Sequence, residues 1–531
     1  MSIGKSLQDD LAAAGGSALV GHQTALPDAK ARTVQDKLGD VVTIKDFGAV
    51  CDGKHDDTEA INRALASGTS RLRFVGTCLV SKTLFYPGDI VIEFDHGASI
   101  VPVPLDWFQR LRLHGRNWGY AIFMNVNWQA DAITDRHATF INTRCTPPFA
   151  WDGHFIGARM FGNLQVIGSY CTNMADVVSN MGCCDVIVRD GWCQAISNCA
   201  YDFWEGSKRI SVLNCTGYDV NAGVNFNATD THVTLGLVAD SLLIDGCRFF
   251  NCPAGGIYVA PLNESSSCTH IKITNNLIDQ AEGVFGVPRG ATWGGIVVLR
   301  STVVEIRGNT LSRMPAATAP ILVGLDDFGY GDTADVTDNT ILASAIGSTA
   351  YIQVYGARSK VQDNRAIGST AEGGFGIAVN SPSTVVGPND MAGAGMYLIN
   401  QNQGGGATAP ALQLDQDTAN GLWRYRQPIQ APSVRQEAGY ALVAAGTDQA
   451  TALALATPYS FIAAGEANAG VALPANAGRV GEEWVIWNHA GTAIVVYAAP
   501  GDSISGSASV ALADGEKIRL VAITPTLWLI A

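Results

Sequence analysis

Between residues 185 and 364 one short pattern recurs seven times: alternating β-formers, then Asn, Asp, Gly or Cys at a turn. The copies are Val186-Ile187-Val188-Arg189-Asp190-Gly191, Ile210-Ser211-Val212-Leu213-Asn214-Cys215 and Leu243-Ile244-Asp245-Gly246-Cys247. They continue as Ile271-Lys272-Ile273-Thr274-Asn275-Asn276, Val304-Glu305-Ile306-Arg307-Gly308-Asn309, Asp335-Val336-Thr337-Asp338-Asn339 and Lys360-Val361-Gln362-Asp363-Asn364. Their last residues lie 24, 32, 29, 33, 30 and 25 residues apart, and a weaker copy, Gln165-Val166-Ile167-Gly168-Ser169, ends 22 residues before the first. A recurrence of this length marks a solenoid. Apolar residues alternate instead of recurring at i, i+3 and i+4, so the repeating unit is a strand. A second strand follows each turn behind a small residue, as in Gly223-Val224-Asn225-Phe226, Gly256-Ile257-Tyr258-Val259 and Gly295-Ile296-Val297-Val298. Such a unit is one coil of a parallel β-helix, whose apolar side is buried only by the coils above and below. The expected fold class is all-β: a single-stranded parallel β-helix with a short N-terminal capping helix and a small C-terminal antiparallel β domain.

A solenoid grows by adding coils, so 531 residues do not translate into a domain count. Charged residues are 15% of the chain and hydrophobic ones 47%, which excludes disorder. The formal net charge of −14 argues against nucleic acid as a main partner, although a groove on an acidic protein can still be locally basic. The 12 cysteines show no zinc-type Cys-x-x-Cys repeat and are expected as small buried apolar residues rather than a disulfide framework. No apolar run is long enough to span a membrane, and the first ten residues lack the apolar core of a signal peptide. The expectation is a protein folded in a reducing cytoplasm and released without a signal.

Residues 1–40 are polar and Ala/Gly-rich and read as an anchor or stem. Residues 41–70 hold a strand from Val41 to Ile44, a Gly-rich turn and a helix. Asp56 is expected as its N-cap with Glu59 three residues on, Ala60, Ile61, Ala64 and Leu65 form its apolar stripe, and Gly68 stops it. A short amphipathic helix before a β-solenoid covers the open edge of the first coil. The stretch Thr43-Ile44-Lys45-Asp46-Phe47-Gly48-Ala49-Val50-Cys51-Asp52-Gly53, continuing through Asp56-Asp57-Thr58-Glu59-Ala60-Ile61-Asn62, resembles the opening motif of the pectate-lyase-like superfamily as bacteriophage tailspike depolymerases carry it. The lead-in Thr33-Val34-Gln35-Asp36-Lys37-Leu38 is similar to theirs as well. The resemblance implies a right-handed β-helix and a homotrimeric fibre of a phage tail or prophage. It also implies an N-terminus attached to a baseplate or adaptor protein, and binding and cleavage of a bacterial surface polysaccharide, capsule or lipopolysaccharide.

Residues 71–400 are assigned to the β-helix and 401–440 to a linker containing Gly404-Gly405-Gly406. Residues 441–531 carry hairpin-ready strands such as Trp484-Val485-Ile486-Trp487 and Ala493-Ile494-Val495-Val496-Tyr497, with turns at Gly501-Asp502 and Asp514-Gly515. This β domain is expected to trimerise or to make a second glycan contact. Between Trp107 and Trp151 the repeat fades and aromatic residues gather; such clusters can stack on sugar rings, but half or more are expected to pack beneath a loop.

Cleaving a glycan asks for two carboxylates, or for a base beside a uronic acid. The glycine-led alternation sends Ile257 and Val259, Tyr201 and Phe203 inward, and Tyr258, Asp202 and Trp204 outward. Coils about 4.8 Å apart line such residues into one strip. Asp202, Glu205 and Asp230 are the candidate catalytic carboxylates, with Trp204, Asn225, Asn227, Tyr258, Trp293, Arg300 and Asp326 as candidate sugar contacts. The same register exposes Val297, Leu299 and Leu322. His232 beside Asp230 and the carboxylates Glu264, Glu282 and Asp327 are weaker candidates. The run Asp326-Asp327-Phe328-Gly329-Tyr330-Gly331-Asp332 fails the calcium-loop spacing, and neither a metal nor another cofactor is expected. The paired-aspartate and Gly-His-Gly motifs of polygalacturonases and the signature of pectate lyases are not found; Asp152-Gly153-His154-Phe155 is only a fragment. No catalytic residue is therefore carried over from the superfamily. Endo-glycosidic hydrolysis leads, followed by β-elimination on a uronic-acid glycan and by a non-cleaving receptor-binding fibre.

Overall fold

The computed structural model describes residues 3–113, 116–126, 132–204, 206–228, 240–261, 268–280, 294–299, 301–314, 319–324, 331–344, 350–369, 371–379, 384–386, 389–391, 394–400, 414–417, 422–425, 438–476, 479 and 481–531. Two compact units divide the chain at Gly404/Gly405.

The first unit is a right-handed parallel β-helix in which each coil contributes to three lengthwise sheets. Sheet 1 has 12 strands, from Arg71–Phe74 through Cys184–Arg189 and Ser301–Arg307 to Val385–Val386. Sheet 2 follows the corner after sheet 1 and includes Thr77–Val80, Arg248–Phe250, Leu277–Asp279 and Thr310–Ser312. Sheet 3 closes each coil with strands such as Trp151–Arg159, Gly255–Pro261 and Ile321–Val323. In three coils a single long strand, such as Trp192–Trp204, serves sheets 2 and 3 in turn and shifts register between Ile196 and Cys199. Inward residues of successive coils stack. Phe74 lies on Phe94 at 4.6 Å, and Phe123 meets Phe140 and Phe155 edge-on at 5.3 and 5.6 Å.

The corner between sheets 1 and 2 is where the turn residues of the repeat act. One residue per coil takes the left-handed conformation: Asn142, Gly168, Asp190, Asn214, Gly246, Asn275, Gly308, Asp338 and Asp363, with φ between 52° and 67°. All are Gly, Asn or Asp, the types that tolerate this region. The next residue points inward and forms a second column. In the C-terminal coils it is an asparagine ladder, in which the Asn309 side-chain oxygen accepts from the Asn276 N–H and amide, both at 3.0 Å. Asn309 in turn donates to Ile273 O at 2.9 Å and to Asn339 Oδ1 at 3.0 Å, and Asn364 continues the ladder. One step earlier Cys215 and Cys247 occupy this column, and their thiols reach Val188 O and Val212 O, the carbonyls equivalent to those used by asparagine. Cys145, Cys171 and Cys193 stack in the neighbouring inward row, where burial raises their thiol pKa and leaves them unreactive.

The capping helix is Thr58–Ala66, which buries Ala60, Ile61, Ala64 and Leu65. Its start differs from the expected one. Asp57 is the N-cap residue by position, without a side-chain cap bond. Its carboxylate faces backward to accept from Val50 N at 2.6 Å and Cys51 N at 3.1 Å. Asp56 Oδ1 accepts from Thr58 N at 3.0 Å. The strand expected over Val41 to Ile44 is a single bridge from Thr43 to Arg73 followed by a 3-10 turn, Ile44–Phe47, whose capping box joins Thr43 and Asp46. Cys51 and Cys78 form a disulfide that ties the capping segment to sheet 2, while Cys145, Cys171, Cys183, Cys184, Cys193, Cys215, Cys247 and Cys252 are buried thiols outside any disulfide.

The second unit holds a six-stranded and a four-stranded sheet over a core that includes Trp484, Trp528 and Ile486. The expected antiparallel pairing is found between Lys517–Thr524 and Leu527–Ile530, a hairpin, and between Glu483–Asn488 and Lys517–Thr524, but the unit is not wholly antiparallel: pairs such as Tyr459–Ala464 with Glu483–Asn488 and Gly470–Ala472 with Ile494–Tyr497 are parallel.

Replacing Asn309 with Ala removes a buried amide from both sides of the ladder and leaves the Asn276 N–H without its acceptor. Unfolding midpoints should report a loss of about 2–4 kcal/mol; a change within about 0.5 kcal/mol would show that the ladder is not stabilising.

Candidate functional site

The outward face of sheet 3 carries the cluster of polar groups that sequence register points to. Register pairs Gly157, Ser179, Asp202, Asn225, Tyr258, Val297, Leu322 and Gln353 in one outward column, and beside it pairs Met181 with Trp204 and Asn227 with Ala260. Tyr201, Phe203, Ile257 and Val259 are buried inside, so Asp202, Trp204 and Tyr258 do stand on the outer side.

Outward does not mean exposed. Asp202 and Asn225 are each 2% exposed and Asn227 is 7% exposed. Val297 and Leu299, expected at the surface, are buried in an apolar cluster against Tyr258 and Leu322. The alternation of a strand fixes which side a residue faces, while its exposure depends on what lies over the sheet.

Asp202 is the centre of the cluster. Its carboxylate accepts from the Trp204 indole N–H and from Asn225 Nδ2 at 2.6 Å. Burial pushes its pKa up, and the Asp176 carboxylate adds to the push; the two hydrogen bonds and His154 oppose it. The balance lies at about 7, against 3.8 for an ordinary aspartate. Asn225 Oδ1 and Asn227 Oδ1 are buried and meet no donor among the described residues. Buried acceptors are ordinarily hydrogen-bonded.

Sequence reasoning missed the partner of Asp202. His154 and Asp176 sit on adjacent coils in direct register, and buried His154 Nδ1 lies against Asp176 Oδ2. Asp176 Oδ1 accepts from Asn198 Nδ2 at 2.9 Å and Cys199 N at 2.8 Å, which holds it at the point where the long strand shifts register. Burial opposes a charge on His154, but Asp176, with Asp202 and Asp152 behind it, outweighs burial and raises the imidazole pKa. The fragment Asp152-Gly153-His154 was the available signal. It failed because the carboxylates it works with come from the next two coils, 22 and 48 residues later in the chain.

Of the sequence candidates, the structure brings Asp202, Trp204, Asn225, Asn227 and Tyr258 onto one strip. Glu205, Asp230, Trp293, Arg300 and Asp326 lie outside the described residues, as do His232, Glu264, Glu282 and Asp327. Of the aromatics between 107 and 151, Phe108 packs edge-on against buried Trp151 at 5.3 Å, Phe123 is in the core and Trp107 is 67% exposed. Among the described residues the one grouping of metal-ligating types is Cys51, Asp57 and Cys78. The disulfide and the two backbone donors to Asp57 already occupy it.

Chemically, a buried carboxyl with a pKa near 7 can deliver a proton at neutral pH, and an aromatic ring with amide acceptors beside it suits a sugar.

No protein-family model matches the chain. A tail spike protein of an Escherichia phage is 49% identical over 53 residues, which is 10% of this chain and 6% of that protein. Among solved structures, tailspike protein 3 of bacteriophage CBA120 has a TM-score of 0.44 at 14% identity, covering 80% of this chain and 76% of that one. A tailspike mutant of E. coli bacteriophage HK620 with a bound pentasaccharide has a TM-score of 0.47 at 11% identity, covering 72% and 73%. A family 28 exopolygalacturonase of Yersinia enterocolitica has a TM-score of 0.46 at 12% identity, covering 65% and 78%.

The Asp202 shift has a definite sign. Its folded pKa lies above its unfolded one, so the folded state keeps a proton that the unfolded chain releases, and stability falls as pH rises from about 4 to about 7. His154, also raised, adds a loss in the same direction above 6.5. Asp202→Asn should therefore gain stability relative to wild type between about pH 4 and pH 8 in thermal melts; a gap between the two that does not change with pH would contradict the shift.

Proposed function

We propose that this chain is a bacteriophage tailspike that binds a bacterial surface polysaccharide and cleaves it by endo-glycosidic hydrolysis on sheet 3. What supports the reading most is Asp202: a carboxyl whose pKa is held near 7, next to an indole and two buried amide oxygens that meet no donor among the described residues, on the outer side of a β-helix. The local similarity to a phage tail spike protein agrees with it.

In this reading Asp202 is the general acid that protonates the leaving glycosidic oxygen. Asp176 Oδ1 is held by Asn198 and Cys199 while Oδ2 lies against His154 Nδ1, so its part is to sit beside His154 and, through its charge, to keep Asp202 protonated. The second carboxylate, activating water or attacking the anomeric carbon, is Glu205 or Asp230. Trp204 and Tyr258 pack against sugar rings, and Asn225 and Asn227 accept sugar hydroxyls.

The chain would act as a homotrimer in the virion tail. Its N-terminal segment, on which Leu7, Leu19, Leu26 and Leu38 are exposed, would dock on a baseplate or adaptor protein. The second unit would serve trimerisation, with Trp487 and Leu529 exposed on its six-stranded sheet. Light scattering should give three times the chain mass of 55.8 kDa; a monomer would remove the oligomer from the account.

Incubation with purified capsules and O-chains tests the chemistry. New reducing ends without absorbance near 235 nm indicate hydrolysis, and that absorbance would indicate β-elimination instead. Asp202→Asn should lower turnover by about 10²–10⁴-fold, and wild-type turnover should decline above pH 7 as Asp202 loses its proton. Full activity in Asp202→Asn would sink the assignment.

A further inference from the structure

Away from the Asp202 strip, outside the corner between sheets 1 and 2, lies a cavity of about 370 Å³ walled by Phe94, Asp95, His96, Asn142, Arg144 and Tyr170. The acid in this wall is already used: Asp95 Oδ1 accepts from Arg73 Nε at 3.0 Å. Arg144 has no carboxylate partner among the described residues, and its guanidinium lies 4.4 Å from the centre of the Tyr170 ring. The cavity thus presents a cation, with an exposed imidazole and amide beside it, on a protein whose net charge is −14.

An aromatic row leads away from the cavity along the helix axis. Tyr170 stacks on Trp192 at 4.5 Å, Trp192 meets Tyr218 at 6.1 Å, and Tyr218 stacks on Phe250 at 4.8 Å. Within each stacked pair the ring planes are within about 11° of parallel, so the faces are spent on one another and the row offers its edges outward. Its spacing follows the coils, and a pyranose chain of similar repeat can lie along it.

We propose that this cavity is a second, non-catalytic glycan site that takes the carboxylate of an acidic sugar residue, with Arg144 as its counter-ion. The inference rests on the reading of this protein as a glycan binder, but not on where cleavage occurs. A planar guanidinium fixed against an aromatic ring is pre-organised for a carboxylate, and the ring edges beyond it meet the neighbouring sugars. Placed on a different sheet from Asp202, the site would hold a long polymer while sheet 3 works on another part of it.

The test uses the full chain carrying Asp202→Asn, which keeps polymers intact, in biolayer interferometry. The probes are a panel of uronic-acid-containing bacterial capsular polysaccharides, each also after chemical reduction of its carboxyls to neutral hexose. Adding Arg144→Ala should weaken binding to the native polymers about tenfold or more and leave binding to the reduced polymers unchanged. Arg144→Lys, which keeps the charge and loses the fork, should fall between. The proposal is overturned if Arg144→Ala binds native polymers as tightly as its parent, if it loses both forms equally, or if the panel shows no Arg144-dependent retention at all. Thermal melts of each variant separate loss of a contact from loss of the fold. Cleavage assays on wild type and Arg144→Ala keep the two claims apart, because turnover of short oligosaccharides depends on sheet 3 alone.

Discussion

Everything in the first unit depends on one corner. At successive corners from Asn142 to Asp363 the chain leaves sheet 1 through a left-handed residue, and in the C-terminal coils the asparagine after it reaches up and down to its equivalents on neighbouring coils. Asparagine does this with a donor and an acceptor at once, so each amide ties coil to coil where no strand pairing can. Earlier coils have Thr143, Ser169, Gly191, Cys215 and Cys247 at the same point, and of these the two thiols reach the carbonyls equivalent to those that asparagine uses. Because every coil turns at the same place, the three sheets stay in register, and a residue at a given position in one coil lies beside its counterpart in the next.

That regularity is what makes a site possible from residues far apart in the chain. Asp202, Asn225 and Tyr258 are adjacent because their strands are one coil apart, and His154 meets Asp176 for the same reason. The register shift between Ile196 and Cys199 breaks the pattern locally, and Asp176 occupies the break by bonding the freed Cys199 N–H. A carboxylate fixed there raises the proton affinity of both His154 and Asp202. Scaffold and electrostatics are thus joined at one irregular step in a regular shaft.

The shaft was readable from the sequence because period, alternation and turn residues all say the same thing about a β-helix. The outward side of Asp202 and Tyr258 was readable too, since a strand has only two faces. Burial on that face was not: Val297 and Leu299 have the right register for exposure and are covered all the same. Nor was the His154–Asp176 pair, whose members are 22 residues apart and lie before the first of the seven clear repeats. The helix start misled for a local reason. Two consecutive aspartates offer two caps, and Asp57 turns back to hold the loop before Cys51 while Asp56 bonds Thr58.

The central claim is that a sugar chain lies on the outer strip of sheet 3 with its scissile bond at Asp202. The most direct measurement is a crystal structure of the Asp202→Asn protein with an oligosaccharide cut from a polymer that the wild type degrades. The account expects the bridging oxygen within about 2.6–3.2 Å of the residue 202 side chain, with sugar hydroxyls on Asn225 and Asn227. A chain bound with no ring on sheet 3 would contradict it.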